Sequence, residues 1–196
     1  MKKSTIITII KIAVIVLIIG MPFALYNSLV KKQEAVESQW AQVENVYQRR
    51  ADLIPNLVET VKGYAAHEEG TFTAVVDARA KATSITIDPS NITPEQLEQF
   101  QAAQDQLSGA LSKLLAVKES YPDLKANENF LALQSQLEGT ENRITVERKK
   151  FNETAQEYNQ SIRMFPRNII ANMFGFEKVA YFKAQAGAET APKVQF

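Results

Sequence analysis

The run WAQVENVYQRRADLIPNLVETVKGY, residues 40–64, decides how this chain folds. Together with Val36 it carries Trp40, Val43, Tyr47, Arg50 and Ile54 at steps of four, three, four, three and four. That spacing is a helical seam of about three heptads, the pattern of a helix packed against other helices. Trp40 reads as a core aromatic rather than a ligand platform. Arg50 falls on the seam itself, where an unpaired charge is costly, so it demands a partner from a facing helix. Pro55 lacks an N–H and restricts Ile54 before it. The run therefore predicts a helix that ends or kinks at Pro55, with a second helix starting from Pro55 in its first turn.

Toward the amino terminus the seam gives way to a solid apolar block. Residues 1–5 are short and basic, and Ile6–Leu25 is apolar except for Thr8, Lys11, Gly20 and Pro22. Twenty such residues match the length of a single membrane-spanning helix. Lys11 is near enough to one end for its stem to snorkel to the interface. A cleaved signal peptide shares the basic start and apolar run, but this run is long and no small-x-small pair precedes a cut around 22–27. The expectation is an uncleaved, single-pass anchor over 6–25 that continues without a break into the seam helix. Lys2, Lys3 and Lys11 lie before or within the span and Lys31 and Lys32 just after it. The margin of one charge leans the body to the non-cytoplasmic side.

Composition removes several classes of function. The chain of 196 residues has no cysteine, hence no disulfide framework, thiolate metal site or thiol nucleophile. It has one histidine, His67, which leaves little for acid–base catalysis. Setting aside the three lysines of the first thirty residues leaves 19 basic against 22 acidic residues, a net charge of −3. A mildly acidic body without a basic block argues against nucleic acid as a partner.

Toward the carboxyl terminus the pattern is helical throughout. The expected helices cover about 29–54, 55–83, 94–120 and 127–165, with a short helix at 168–174 and a disordered tail over 183–196. Ser84–Asn91 is rich in turn formers. Thr93-Pro94-Glu95-Gln96 is a capping box with proline at the first helical position. Leu137, Ile144, Phe151, Tyr158 and Phe165 recur every seven residues, which means packing against other helices. The resulting fold is all-α: an amino-terminal transmembrane helix followed by an antiparallel four-helix bundle over 26–176. The alternative is a three-helix bundle whose long first helix is kinked at Pro55.

Candidate sites follow from this arrangement. Arg50 needs carboxylates, and Glu141 and Glu147 flank the seam of the last long helix, with Arg143 beside them. Glu68 lies on the stripe of the second helix. These five residues are expected to form a structural polar network that sets helix register; a recognition surface built on Asn45, Arg49, Arg50 and Asp52 is the sharper alternative. Carboxylate metal bundles use a Glu-x-x-His pair from each of two helices, whereas His67 has no second histidine to match it. No phosphate loop, nucleophile elbow or H-E-x-x-H pattern occurs. No catalytic, cofactor or metal residue is assigned. Ile169, Ile170, Met173, Phe174 and Phe176 form a segment too apolar for a surface turn. It caps the bundle, meets a membrane or docks a subunit.

The runs YNSLV (26–30), residues 40–64 as quoted, LEGTENRI (137–144), YN (158–159), FP (165–166) and FGF (174–176) together resemble the LemA family across nearly the whole chain. The resemblance implies a bacterial membrane-anchored protein with a four-helix body and no settled enzymatic activity. Some relatives are tied to the formation of internal membrane compartments. The expected function is a non-enzymatic scaffold, adaptor or self-assembling unit at the membrane. Its expected partners are the lipid bilayer, membrane or envelope proteins, and further copies of itself. A carboxylate-lined metalloenzyme is the alternative.

Overall fold

The computed structural model describes residues 3–183, and for residues 3–10 and 13–18 the backbone alone. Helix α1 spans Lys3–Lys62, α2 Glu69–Ser84, α3 Pro94–Ala116, α4 Pro122–Lys125, α5 Glu128–Arg163 and α6 Arg167–Phe174, with a 3-10 turn at Val117–Ser120. The described residues contain no strand. Among them no helix is long and apolar enough to cross a membrane. The side chains of most of the anchor expected over 6–25 lie outside the described residues, as does the tail after Lys183.

α1 and α5 form the spine of the body and run antiparallel. Asn127 Nδ2 donates to the Tyr64 hydroxyl at 2.8 Å, Arg50 meets Glu141, Trp40 meets Phe151, and Lys32 pairs with Glu157 at 3.2 Å. α2 and α3 pack on each other and α2 on α1. α2 and α3 are also antiparallel, since Gln104 Nε2 donates to the Ala82 carbonyl and Lys81 Nζ to Gln106. The seam residues are buried as their spacing requires: Leu29, Val36, Trp40, Val43, Tyr47 and Arg50 on α1, and Phe130, Leu137, Ile144, Phe151 and Tyr158 on α5. The capping box of α3 is closed, with Gln96 N donating to Thr93 Oγ1 at 3.3 Å and Thr93 N to Gln96 Oε1 at 3.1 Å.

The helix does not stop at Pro55. α1 continues seven residues beyond it, to Lys62, and Ile54, Leu57 and Val61 carry the buried stripe through without a change of phase. The missing Pro55 N–H should strand the carbonyl four residues earlier, that of the buried Ala51. Arg79 of α2 supplies the replacement, its Nε donating to the Ala51 oxygen at 2.8 Å. A tertiary donor thus fills the gap in the helix ladder, and the first helix runs on through Pro55, as the alternative of one long first helix expects, instead of ending there. The second helix starts at Glu69 instead of Pro55, after a turn around Gly63–Glu68. Removing a partner from a buried carbonyl costs about 1–3 kcal/mol. Arg79→Ala should therefore destabilise the wild-type chain by that order but cost much less in a Pro55→Ala background, where residue 55 donates again. Equal losses in the two backgrounds, read by urea unfolding, would refute the assignment.

Only part of the bundle is four helices wide. Above Ser84 the chain leaves α2 and continues as an irregular segment that buries Ile87 and Ile92. After α6 the chain returns through the same half of the body and buries Val179 and Phe182 in its core, the Phe182 ring against Trp40 and Phe151. Two asparagines of α5 hold this return. Asn159 Nδ2 donates to the Val179 carbonyl at 2.8 Å, and its Oδ1 accepts from Val179 N at 3.0 Å. Asn152 does the same for Phe182, at 3.0 and 2.9 Å. Seven helical residues rise about 10.5 Å, and three extended residues span about 10 Å. The two amide side chains therefore match the spacing of the backbone groups they clamp. Asn159→Ala should destabilise the chain by about 2 kcal/mol and open Glu177–Lys183 to proteolysis first. Unchanged cleavage there would contradict the clamp.

Phe165 departs from the expected repeat. α5 ends at Arg163, and Met164 turns extended with ψ 136°, which carries Phe165 off the seam and leaves it 80% exposed. Lys183, expected to begin a disordered tail, is held: its carbonyl accepts from Arg148 at 2.9 Å and Gln101 at 3.2 Å, and its ammonium pairs with Glu98 at 3.2 Å.

Candidate functional site

Two features stand apart from ordinary apolar packing: a polar layer across the middle of the body and an apolar surface at the end nearest the amino-terminal run.

The polar layer is built around Arg50, which is 2% exposed. Its Nη1 donates to Glu141 Oε1 and to Ser108 Oγ, each at 2.8 Å. Its Nη2 donates to the Gln104 side-chain oxygen and, at 3.4 Å, to the Gln104 carbonyl. The guanidinium also lies over the Tyr47 ring, 5.1 Å from its centroid. Gln104 then donates from Nε2 to the Ala82 carbonyl at 3.2 Å. One arginine thus links α1, α3 and α5, and Gln104 extends the link to α2. The layer separates two apolar clusters, one reaching from Leu29 to Tyr47 on α1 and the other from Ile54 to Val61. A helix shifted by one turn would leave Arg50 without Glu141 and bury its charge against hydrocarbon, so the layer penalises wrong registers.

Of the five residues expected in a network, the structure brings together Arg50 and Glu141. Glu147 lies six residues further along α5, about 9 Å up the helix, where it accepts from Gln39 at 2.7 Å and Lys150 at 2.8 Å. The Lys150 hydrogen bond holds its carboxyl below the usual range, against the effect of burial and with help from Gln39. Glu68 is in the turn before α2 and accepts from the Tyr121 hydroxyl at 3.3 Å. Arg143 faces solvent. The alternative surface over Asn45, Arg49, Arg50 and Asp52 divides as well, since Arg50 is buried while the other three are not. Sequence reasoning missed Gln104 and Ser108. The signal was present for Gln104: Leu97, Phe100, Gln104, Leu107, Leu111 and Leu114 step by three and four, and a polar residue occupies one seam position just as Arg50 does on α1.

A cavity of about 330 Å³ opens beside Arg50, bounded by Tyr47, Ser108, Arg148, Lys149 and Phe182 among others. Burial pushes the Tyr47 phenol up, with Arg148 and Arg50 opposing, so it stays protonated. Ser108 donates to the Gln104 carbonyl at 3.1 Å, and His67 is exposed in the turn before α2. The Ser108 hydroxyl is thus engaged by Arg50 and by a backbone carbonyl. Among the described residues no group of three or more histidine, cysteine or acidic side chains could hold a metal ion.

The apolar surface gathers the other candidate residues. α6 packs on both α1 and α5. It buries Ile170 and Ala171, half-buries Phe176 after its end, and leaves Ile169, Met173 and Phe174 exposed. Gly175 closes the helix with φ 73°, a conformation that favours glycine, and Phe176 N bonds back to the Ala171 carbonyl at 3.0 Å. The Tyr26 ring lies 4.9 Å from Phe174 and 5.7 Å from Phe176. This contact ties α6 to α1 one residue after the apolar run ends.

Comparison with known proteins agrees with the resemblance read from the sequence. The LemA family model matches residues 39–196. The chain is 27% identical over 182 residues to magnetosome protein MamQ of Magnetospirillum gryphiswaldense, covering 84% of this chain and 67% of that one. The figures are the same for magnetosome protein MamQ 1 of Paramagnetospirillum magneticum. Protein LemA of Metamycoplasma hominis is 25% identical over 173 residues, covering 86% of this chain and 75% of its own. The family match spans the seam of α1 from Gln39 onward, the Arg50 layer, the asparagine clamp and α6, and the chain belongs to the LemA family.

Proposed function

We propose that this is a non-enzymatic, single-pass membrane protein whose helical body works as a scaffold or self-assembling unit at the membrane surface. The observation that carries the reading is the continuity of α1. One helix holds the apolar run over 6–25 and, from Leu29, the inner wall of the body. Such a helix would present the body at a fixed position above the bilayer rather than on a loose tether. The polar layer favours one helix register, which suits a structural part more than a catalyst. The names of the relatives, magnetosome protein and LemA, are not those of enzymes. The lysine distribution leans the body to the non-cytoplasmic side; digestion of the body by a protease admitted only to the cytoplasm would reverse that lean.

Partners would meet the exposed backs of the helices, where Val76 on α2 and Val146 on α5 stand half out into solvent. The chain lacks cysteine, so Val76→Cys and Val146→Cys each create a single crosslinking site. Crosslinking in cells should capture a discrete product, a second copy or an envelope protein, from at least one of them. Only uncoupled monomer from both would count against a scaffold.

A further inference from the structure

We propose that α6 and the corner before it form a foot that rests on the bilayer, with Phe165, Ile169, Met173 and Phe174 inserted at the boundary of headgroups and acyl chains. The proposal rests on the reading of residues 6–25 as an anchor in that same bilayer.

Capping the bundle does not use the whole helix. Ile170 and Ala171 are buried against the body, and Phe174 meets it through the Tyr26 ring. Phe165, Ile169 and Met173, at steps of four, remain 80%, 50% and 69% exposed, with Met164 and Phe174 beside them in sequence also turned outward. A surface helix buries one face and wets the other. α6 carries Ile169, Met173 and Phe174 on its outward side beside Asn172, and exposed apolar side chains of this kind mark a contact surface.

The position of α6 points the same way. Phe174 and Phe176 lie against the Tyr26 ring, and Tyr26 directly follows Leu25, the last residue of the apolar run. Phe23 and Met21, also exposed, come within about 4.5 and 7.5 Å of Tyr26 along the helix axis. Exposed apolar side chains at the end of the run thus lie within about two turns of the Tyr26 contact with α6. If 6–25 spans hydrocarbon, the foot is at the height of the interface, where aromatic rings are favoured and a short amphipathic helix buries about 5–10 Å deep.

Charge agrees. Residues 158–176 hold Arg163 and Arg167 and no carboxylate. Two cations suit a phosphate layer but are too few to make binding depend on anionic lipid. A second copy is the competing occupant. It would have to approach a face that lies level with the end of the anchor, where lipid is already present.

The test uses the full chain in phosphatidylcholine vesicles, with single-cysteine variants Met173→Cys, Ile19→Cys and Val146→Cys carrying an environment-sensitive fluorophore. Nitroxide-labelled lipids report depth. The label at 173 should shift to the blue and lose most of its emission to shallow nitroxides, that at 19 to deep ones, and that at 146 to neither. A label at 173 that behaves like 146 while 19 is quenched overturns the foot and leaves the anchor standing. Absence of quenching at 19 overturns the anchor and the foot with it. Disulfide formation between two copies at position 173, without lipid quenching there, gives the face to a second copy and also overturns the proposal.

Discussion

Arg50→Ala should destabilise the body by about 3–5 kcal/mol. The loss comes less from the ion pair than from what is left behind. Glu141 is 41% exposed and can return to water when its partner is removed. Gln104 is buried, and its side-chain oxygen would lose its donor inside the core. The space vacated by the arginine stem adds a cavity between the two apolar clusters. Arg50→Met retains most of the stem volume and removes the buried charge, so its loss should be clearly smaller. Glu141→Gln keeps an acceptor facing Nη1 and should cost about 1–2 kcal/mol. Urea unfolding orders the three variants as Ala worst, with Met and Gln milder. An Arg50→Ala chain with an unchanged midpoint would show that the layer contributes nothing to folding. A Met variant that is stable but unfolds over a broadened transition would place the value of the layer in register rather than in free energy.

Trp40→Ala should cost about 3–5 kcal/mol as well, by a different route. Trp40 is 1% exposed and meets rings from three separate segments: Phe100 of α3 at 5.5 Å, Phe151 of α5 at 5.4 Å, and Phe182 of the returning chain at 6.0 Å. Two of the contacts are edge-on and one is stacked, geometries that add to simple burial. Its indole Nε1 has no hydrogen-bond partner among the described residues. Trp40→Phe therefore removes a buried, unpaired donor along with some volume, and its loss should be no more than about 1–2 kcal/mol. Circular dichroism follows both variants, since Trp40 is the sole tryptophan and its fluorescence disappears with it. Hydrogen exchange over Val179–Phe182 should accelerate in the alanine variant before the helices change, because Phe182 loses its stacking partner. Retained protection there would separate Trp40 from the returning segment.

The long-range pairing of α1 with α5 was readable because both helices keep a seven-residue repeat over many turns, and such a repeat persists only where another helix faces it. Arg50 announced itself as a charge on that seam, and Gln104 carried the same signal on α3. Glu147 could not be separated from Glu141 by spacing alone, because the register of two antiparallel helices is a tertiary property. Pro55 was misleading for a similar reason. Its local consequence is a stranded carbonyl, and the donor that fills the gap, Arg79, is 28 residues from Ala51 in the chain. The segment from Phe176 to Lys183 carries no period, since it is held by the side-chain amides of Asn152 and Asn159 instead of by a ladder. Two asparagines seven apart beside a core row are a faint sign of such a clamp, and only in retrospect do they identify the backbone they bind.

On the proposed function, the helix that forms the inner wall of the body also holds the chain in the membrane. Alkaline carbonate extraction of membranes from cells making the chain separates a spanning helix from attachment at the surface. The chain should stay with the membrane pellet and be freed only by detergent. Release of the intact chain into the carbonate supernatant, as for a protein attached from outside, would contradict that function.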